Sequence, residues 1–237
     1  MSLTIKAKKI ISINQPAYLP WLGYFERISN SDHHVVLDHV QFEKNAMINR
    51  NKIQTSNGSL ILTVPIKTSG GFGQLAINNL TISEQKKWQK KHWQSIYFSY
   101  KKAPFFEKYH DELAFFYQQP WLKLNDLLKA QLRFFVKALG INTTISFSSE
   151  VNWQRTKSDL VLEICQKYDA DHYISGTLGR NYLNLNTFVQ ANVSVEYQDY
   201  KHPHYQQFKA EFSSHLSLLD LLLHHGDKSL KILRNSP

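Results

Sequence analysis

Three side chains in this sequence have the chemistry of catalysts. Asp38 follows the apolar run "HHVVL", His202 sits in "YKHPHYQQ", and Ser175 stands before a glycine in "YISGTLGRNYL". A carboxylate or a neutral imidazole can take a proton near neutral pH. A serine–glycine corner can turn backbone N–H groups toward a developing oxyanion. Ser175 lacks the G-x-S-x-G elbow that would make it a nucleophile, and the corner is neither a Walker loop nor a dinucleotide fingerprint. Binding candidates surround these residues. In "NQPAYLPWLGYF", Gln15 and Tyr18 offer hydrogen bonds, and Trp21 and Tyr24 offer flat apolar surface. Arg50, between Asn49 and Asn51, can grip phosphate or carboxylate through its planar fork. Gly176 lets a ligand approach the backbone, and Tyr205 adds a phenol beside His202. Each also has a plain structural use, since aromatics at strand ends pack and aspartates close turns.

The elements that position them read as α/β. "KKIISIN" is a buried strand, Pro20 suits a first helical turn, and "PWLGYFERISNS" is a helix. "HHVVLDHVQF" is a second strand, completing a βαβ unit. A phosphate can sit at the start of that first helix. Asn57-Gly58 marks a hairpin whose second arm is "SLILTVPI", within an insertion of hairpin and loop at 43–80. Residues 83–140 form an inserted block of three helices, with Ser83 as a cap and Gly140 as a stop. Thr156 and Asp159 open a further helix as a capping box. Strands at "TTISFSS", "HYISG" and "VSVEYQDY", with helices between and after them, complete a single α/β domain over 1–237 with a mostly parallel sheet. In such sheets ligands gather at the strands' carboxyl ends. That places the Gln15 turn, Asp38 and the Ser175 corner in one cleft.

The formal charge of +9 favours anionic partners. In "EQKKWQKKHW" the lysines fall opposite the aromatic stripe, the pattern of a solvated helix face, though contact with nucleic acid or lipid would use the same charges. No run approaches the roughly 20 apolar residues of a membrane span, and the N-terminal apolar run is too short for a signal peptide, so a cytoplasmic protein is expected. The single cysteine, Cys165, excludes an internal disulfide and a multi-thiolate metal site; no metal site is expected.

The blocks "INQPAYLPWLGYFERISNSDHHVVLDHVQF", "NRNKI", "LTVPI", "YKKAPFF", "YISGTLGRNYL", "YKHPHYQQF" and "LSLLDLLLHHG" resemble, in order, the WbqC-like family. The chain departs from it at Met47-Ile48, where members often carry an aromatic. The resemblance implies a transferase in bacterial surface-polysaccharide (O-antigen) assembly that acylates, for instance glycylates, the amine of a nucleotide-linked amino sugar. Its motif positions here are Gln15, Tyr18, Pro20, Trp21, Gly23, Tyr24, Asp38, Gln41, Asn49, Arg50, Ser175, Gly176, Tyr182, His202 and Tyr205. In that reading Asp38 or His202 is the base, and Ser175-Gly176 holds the oxyanion. The acyl donor is open: glycine with ATP, a thioester or an aminoacyl-tRNA, the last being the one nucleic-acid partner expected. Two other readings stand beside it. One is an ATP-dependent nucleotidyltransferase or ligase, although the turn Gln15-Pro16-Ala17-Tyr18 lacks the H-x-G-H signature. The other is a non-catalytic sugar-binding component of the same machinery.

Overall fold

The structure is a computed structural model that describes residues 8–67, 75–84, 87–209 and 211–235. The chain divides into two compact units. The first comprises residues 1–14, 27–37 and 142–200; the second comprises 15–26, 38–141 and 201–237.

The first unit carries a five-stranded sheet of β1 (Ile10–Asn14), β2 (His33–Val36), β5 (Thr144–Phe147), β6 (His172–Ser175) and β7 (Ser194–Tyr197). The spatial order is β5-β2-β1-β6-β7, and every pairing is parallel. Ile11, Ile13, Val35 and Val36 are buried, as both faces of a parallel sheet require. Helix α1 (Leu22–Ser29) lies between β1 and β2 in the chain, α5 (Lys157–Lys167) between β5 and β6, and α6 (Leu185–Gln190) between β6 and β7. Counted along the chain, the sheet order is 3-2-1-4-5. The chain builds outward from β1 to one edge, then crosses back to β6 and builds toward the other. The place where direction reverses, between β1 and β6, is the topological switch point.

The second unit holds the hairpin β3 (Arg50–Thr55) with β4 (Gly58–Thr63), in the register Thr55↔Gly58; its turn residues are Ser56 and Asn57, one position earlier than the Asn57-Gly58 signal places them, and Gly58 opens the second arm. It also holds α2 (Trp88–Tyr100), α3 (Phe106–Gln118), α4 (Leu124–Leu139), α7 (Leu218–His225) and α8 (Ser229–Arg234). The apolar faces are the expected ones: Trp88, His92, Ile96 and Tyr100 on α2, and Leu124, Leu128, Leu132 and Phe135 on α4. A parallel sheet flanked by helices, with a hairpin and a helical block, is thus the architecture.

Three local expectations change. β2 ends at Val36, so Asp38 lies two residues beyond the strand. α2 begins at Trp88 with Lys87 in a left-handed cap at φ 43°, not at Ser83. Thr156 occupies the cap position of α5 but its side chain makes no capping bond, whereas Ser217 does cap α7, accepting from the Leu219 N–H at 3.1 Å. Most of the loop that follows the hairpin, the glycine-rich "KTSGGFGQLAINN", lies outside the described residues. Cys165 is buried in α5, and burial pushes its thiol up to about 12, so it stays protonated and inert.

Candidate functional site

In the first unit the carboxyl end of β6 forms a corner of close contacts. Ser175 is buried, and its hydroxyl donates to the Gly176 carbonyl at 3.1 Å. A Cβ at Gly176 would stand 2.9 Å from Nη1 and 3.2 Å from Nη2 of Arg27. A Cβ at Gly179 would stand 2.1 Å from Ser175 Oγ. The two glycines of "SGTLG" are therefore there for proximity: the first to a guanidinium, the second to a hydroxyl. Arg27, in the last turn of α1, is only 7% exposed. Its Nε donates to Gln198 Oε1 at 3.1 Å, just past the end of β7. The guanidinium is thus lodged between the chain leaving β6 and the chain leaving β7, and it carries a permanent charge there. The charge is felt nearby. Burial, then Arg27, then His33 push His34 down to about 3. The rim of the corner is open: Thr177, Leu178, Arg180, Asn181 and Tyr182 are exposed, with the Arg180 guanidinium 4.3 Å from the centre of the Tyr197 ring. At the end of β1, on the other flank of the switch point, Asn14 Oδ1 is buried with no partner among the described residues.

The remaining candidates lie in the second unit, and most are engaged internally. Tyr18 is fully buried. Its hydroxyl is 2.8 Å from His92 Nδ1 and 2.8 Å from the Tyr117 hydroxyl. His92 is also bonded to the Thr63 backbone, so its other nitrogen donates there and Nδ1 accepts from Tyr18. Tyr117 then donates to Tyr18, closing the chain Tyr117 to Tyr18 to His92 to Thr63. Tyr24 is 3% exposed and packs on Phe25. The hydrogen-bonding group expected of Tyr18 and the flat surface expected of Tyr24 are therefore core, because their rings carry more apolar area than a small turn can leave in water. The turn itself is covered: Leu218 N–H donates to the Pro20 carbonyl at 2.8 Å, Trp21 bridges Ser217, and the half-buried Trp21 ring stacks near His215 at 6.0 Å.

Asp38 is fully buried; its Oδ2 accepts from Asn125 Nδ2 at 2.8 Å and lies 3.4 Å from Lys129 Nζ. A carboxylate so held orders α4 rather than waiting for a proton. Asn49 donates to the Val64 carbonyl and Asn51 to the Leu19 carbonyl, which makes the asparagines of the N-R-N block clips for the hairpin. Arg50 is half-buried, with Nη2 donating to Asn45 Oδ1 at 3.2 Å. Gln15 is half-buried, and Gln41 is exposed and bridges Ala76. His202 is half-buried beside Tyr205, Phe212 and His215, its Nδ1–H donating to the Pro203 carbonyl. Burial, the largest cause, and the neighbouring His215 and His204 lower its pKa, so the ring is neutral at pH 7. Of the expected trio in one cleft, Ser175 belongs to the first unit, and Asp38 and the Gln15 turn belong to the second.

The order of these motifs along the chain matches a known family. A profile of the WbqC-like protein family covers residues 15–232. The chain belongs to the WbqC-like protein family. A relative from Mycobacterium tuberculosis (strain ATCC 25618 / H37Rv), named as the uncharacterized protein Rv1507c, is 32% identical over 228 residues, which are 95% of this chain and 98% of that protein. No solved structure matches the chain.

For this WbqC-like chain, reading the sequence missed two groups that the structure brings forward. Arg27 was legible as a charge three residues after Tyr24, on the inner face of α1, where a solvated arginine does not belong. Asp220 was hidden inside "LSLLDLLLHHG" as a helix-surface acid. It is fully buried, with Oδ2 accepting from Tyr205 at 3.0 Å and Gln207 at 2.8 Å, and Oδ1 3.8 Å from His224 Nδ1. Burial raises its pKa, opposed by His224, Tyr205, Tyr100 and Gln207. That network explains Tyr205: its hydroxyl fixes the "HPHYQQF" segment to α7 rather than facing a substrate. Among the described residues no cluster of three or more His, Cys, Asp or Glu could hold a metal. No described helix is long and apolar enough to cross a membrane.

Proposed function

We propose that this WbqC-like chain is a transferase that acylates the amine of a nucleotide-linked amino sugar, the reaction expected of an enzyme of surface-polysaccharide assembly. The observation that supports it is the Arg27 guanidinium lodged against Gly176 at the sheet's carboxyl edge. Nucleotides bind open parallel sheets at their switch point. A fixed cation at a backbone with no Cβ is a seat for a diphosphate. Arg180 and Tyr182, exposed on the rim, are suited to the rest of the ligand. In the chemical step the sugar amine attacks the donor's acyl carbon, the carbonyl oxygen becomes an oxyanion, and the amine loses a proton as the donor's leaving group departs. The Ser175-Gly176 corner is assigned to the oxyanion or to the phosphate. The two base candidates of the sequence, Asp38 and His202, belong to the second unit, where Asp38 is committed to Asn125 and Lys129 and His202 is neutral at pH 7.

The test is to incubate the protein with UDP- and dTDP-linked amino sugars and, in turn, glycine with ATP, aminoacyl-tRNA and acyl thioesters. Mass spectrometry then reads the sugar. Gain of one acyl group with at least one donor supports the proposal. Sugar nucleotides that bind without changing mass under any donor would make the protein a binding component. A second reading draws on the same strand order, which serves ATP-binding α/β folds: nucleotidyl transfer, reported by pyrophosphate release from ATP.

A further inference from the structure

Helix α2 presents two faces of opposite character. Trp88, His92, Ile96 and Tyr100, four residues apart, form its buried face. The opposite face runs through Lys87, the adjacent pair Lys90 and Lys91, then Gln94, Phe98 and Lys101, at steps of three and four outside that pair, and Lys102 follows; all are exposed. From Lys87 to Phe106 the sequence has no acidic residue. Among the described residues none of these five lysines is within ion-pair distance of a carboxylate. Phe98, 66% exposed, sits in the middle of the stripe, with Lys101 Nζ 5.2 Å from its ring centre. At 1.5 Å per residue the stripe is about 20 Å long.

We propose that the outer face of α2 docks on an anionic lipid surface. The lysines face the charged headgroups, and the Phe98 ring enters the interface between headgroups and acyl chains. Charge complementarity is the first argument: a straight, acid-free stripe of five ammonium groups suits a diffuse sheet of negative charge, which attracts each lysine by about 1 kcal/mol, or about five-fold in affinity. The second is Phe98, since an exposed aromatic centred in a basic helix face is the apolar wedge of an interfacial helix. Nucleic acid fits less well. The stripe holds no arginine fork for phosphates, and its one ring is flanked by charge rather than repeated as a stacking platform.

Sedimentation with vesicles tests this on the full chain. Vesicles of three parts phosphatidylcholine to one part phosphatidylglycerol should carry the protein down, and pure phosphatidylcholine should not. Binding should fall steeply between 0.1 and 0.5 M salt. Lys90→Gln with Lys91→Gln should weaken it by about 25-fold. Phe98→Trp should keep binding and show a blue-shifted emission increment on anionic vesicles that wild type lacks. All of these positions are exposed, so thermal melts of the variants should overlay wild type. If a melt does not, the vesicle panel and salt series on wild type still decide. Two results would overturn the proposal: no anionic-vesicle binding at 0.1 M salt, or binding to single-stranded or transfer RNA that the lysine pair controls while vesicles are ignored.

Discussion

Arg27 and Tyr18 are both buried polar side chains from the stretch that follows β1, yet their surroundings differ. Tyr18 lies in the second unit, in a closed chain of hydrogen bonds from Tyr117 through His92 to the Thr63 backbone. Each group there has its partner inside the protein. Arg27 lies in the first unit, its guanidinium pressed to a glycine and surrounded by a rim of exposed residues at the end of a parallel sheet. A closed chain fixes a shape. Arg27 is bonded too, to Gln198, but its permanent charge stands against backbone with no Cβ at the sheet's carboxyl edge. On this contrast the conspicuous aromatic motif is packed as scaffold, and the plainer "SGTLGR" with Arg27 is the site we propose.

The largest effect should come from filling the corner. Gly176→Leu would push side-chain atoms into the Arg27 fork, and we expect sugar-nucleotide affinity to fall by about 100-fold, the worth of a charge-assisted pair of hydrogen bonds, as read by titration calorimetry. Gly23→Leu serves poorly as a control because its Cβ would overlap Trp21. Leu178→Ala, on the exposed rim, should change stability little. In the second unit, Asp38→Ala should lower stability by about 2–3 kcal/mol in urea melts, because Lys129 and Asn125 lose a charged acceptor; nucleotide affinity should not follow. Asp38→Asn, which keeps an acceptor oxygen, should cost less. Tyr18→Phe should cost about 1–2 kcal/mol by leaving His92 Nδ1 and the Tyr117 hydroxyl without it.

Most of the fold was legible in the sequence, for identifiable reasons. Strand β1 and the hairpin have periodicity and turn residues that admit one reading, and the apolar steps of four on α2 and α4 survive into the structure. The strand order was not legible, because nothing in "HYISG" says that it lies beside "KIISI" rather than at an edge. The proposed site was half legible. Ser175 and Gly176 could be singled out from a glycine after a strand. The burial of Tyr18 could not be judged, since it depends on what surrounds the ring, and its partners His92 and Tyr117 lie 74 and 99 residues away in sequence. Arg27 was missed, because one charge on a short helix does not reveal that it is buried.

pH sharpens the same comparison. Burial holds His92 at about 4, and burial with Arg27 and His33 holds His34 at about 3, both below the ordinary 6.5. Each folded pKa is lowered, so the unfolded chain binds more protons below pH 6.5. Stability is therefore full above that value and is lost as pH falls toward 4 and then 3. Melts from pH 7 to 4 should show this decline. Arg27→Met should raise the His34 titration and leave that of His92 in place, which NMR of the ring protons can separate. The smallest effect belongs to Arg180→Ala: an exposed guanidinium over Tyr197 should contribute about 0.5 kcal/mol or less to stability.

The central claim is that the Arg27–Gly176 corner seats a phosphate. Calorimetric titration of UDP against uridine, on wild type and on Arg27→Met, tests it most directly. The account predicts that wild type prefers UDP by at least about ten-fold and that Arg27→Met, still folded by its melt, loses that preference. Equal binding of UDP and uridine to wild type, or an Arg27→Met protein that holds UDP as wild type does, would contradict it.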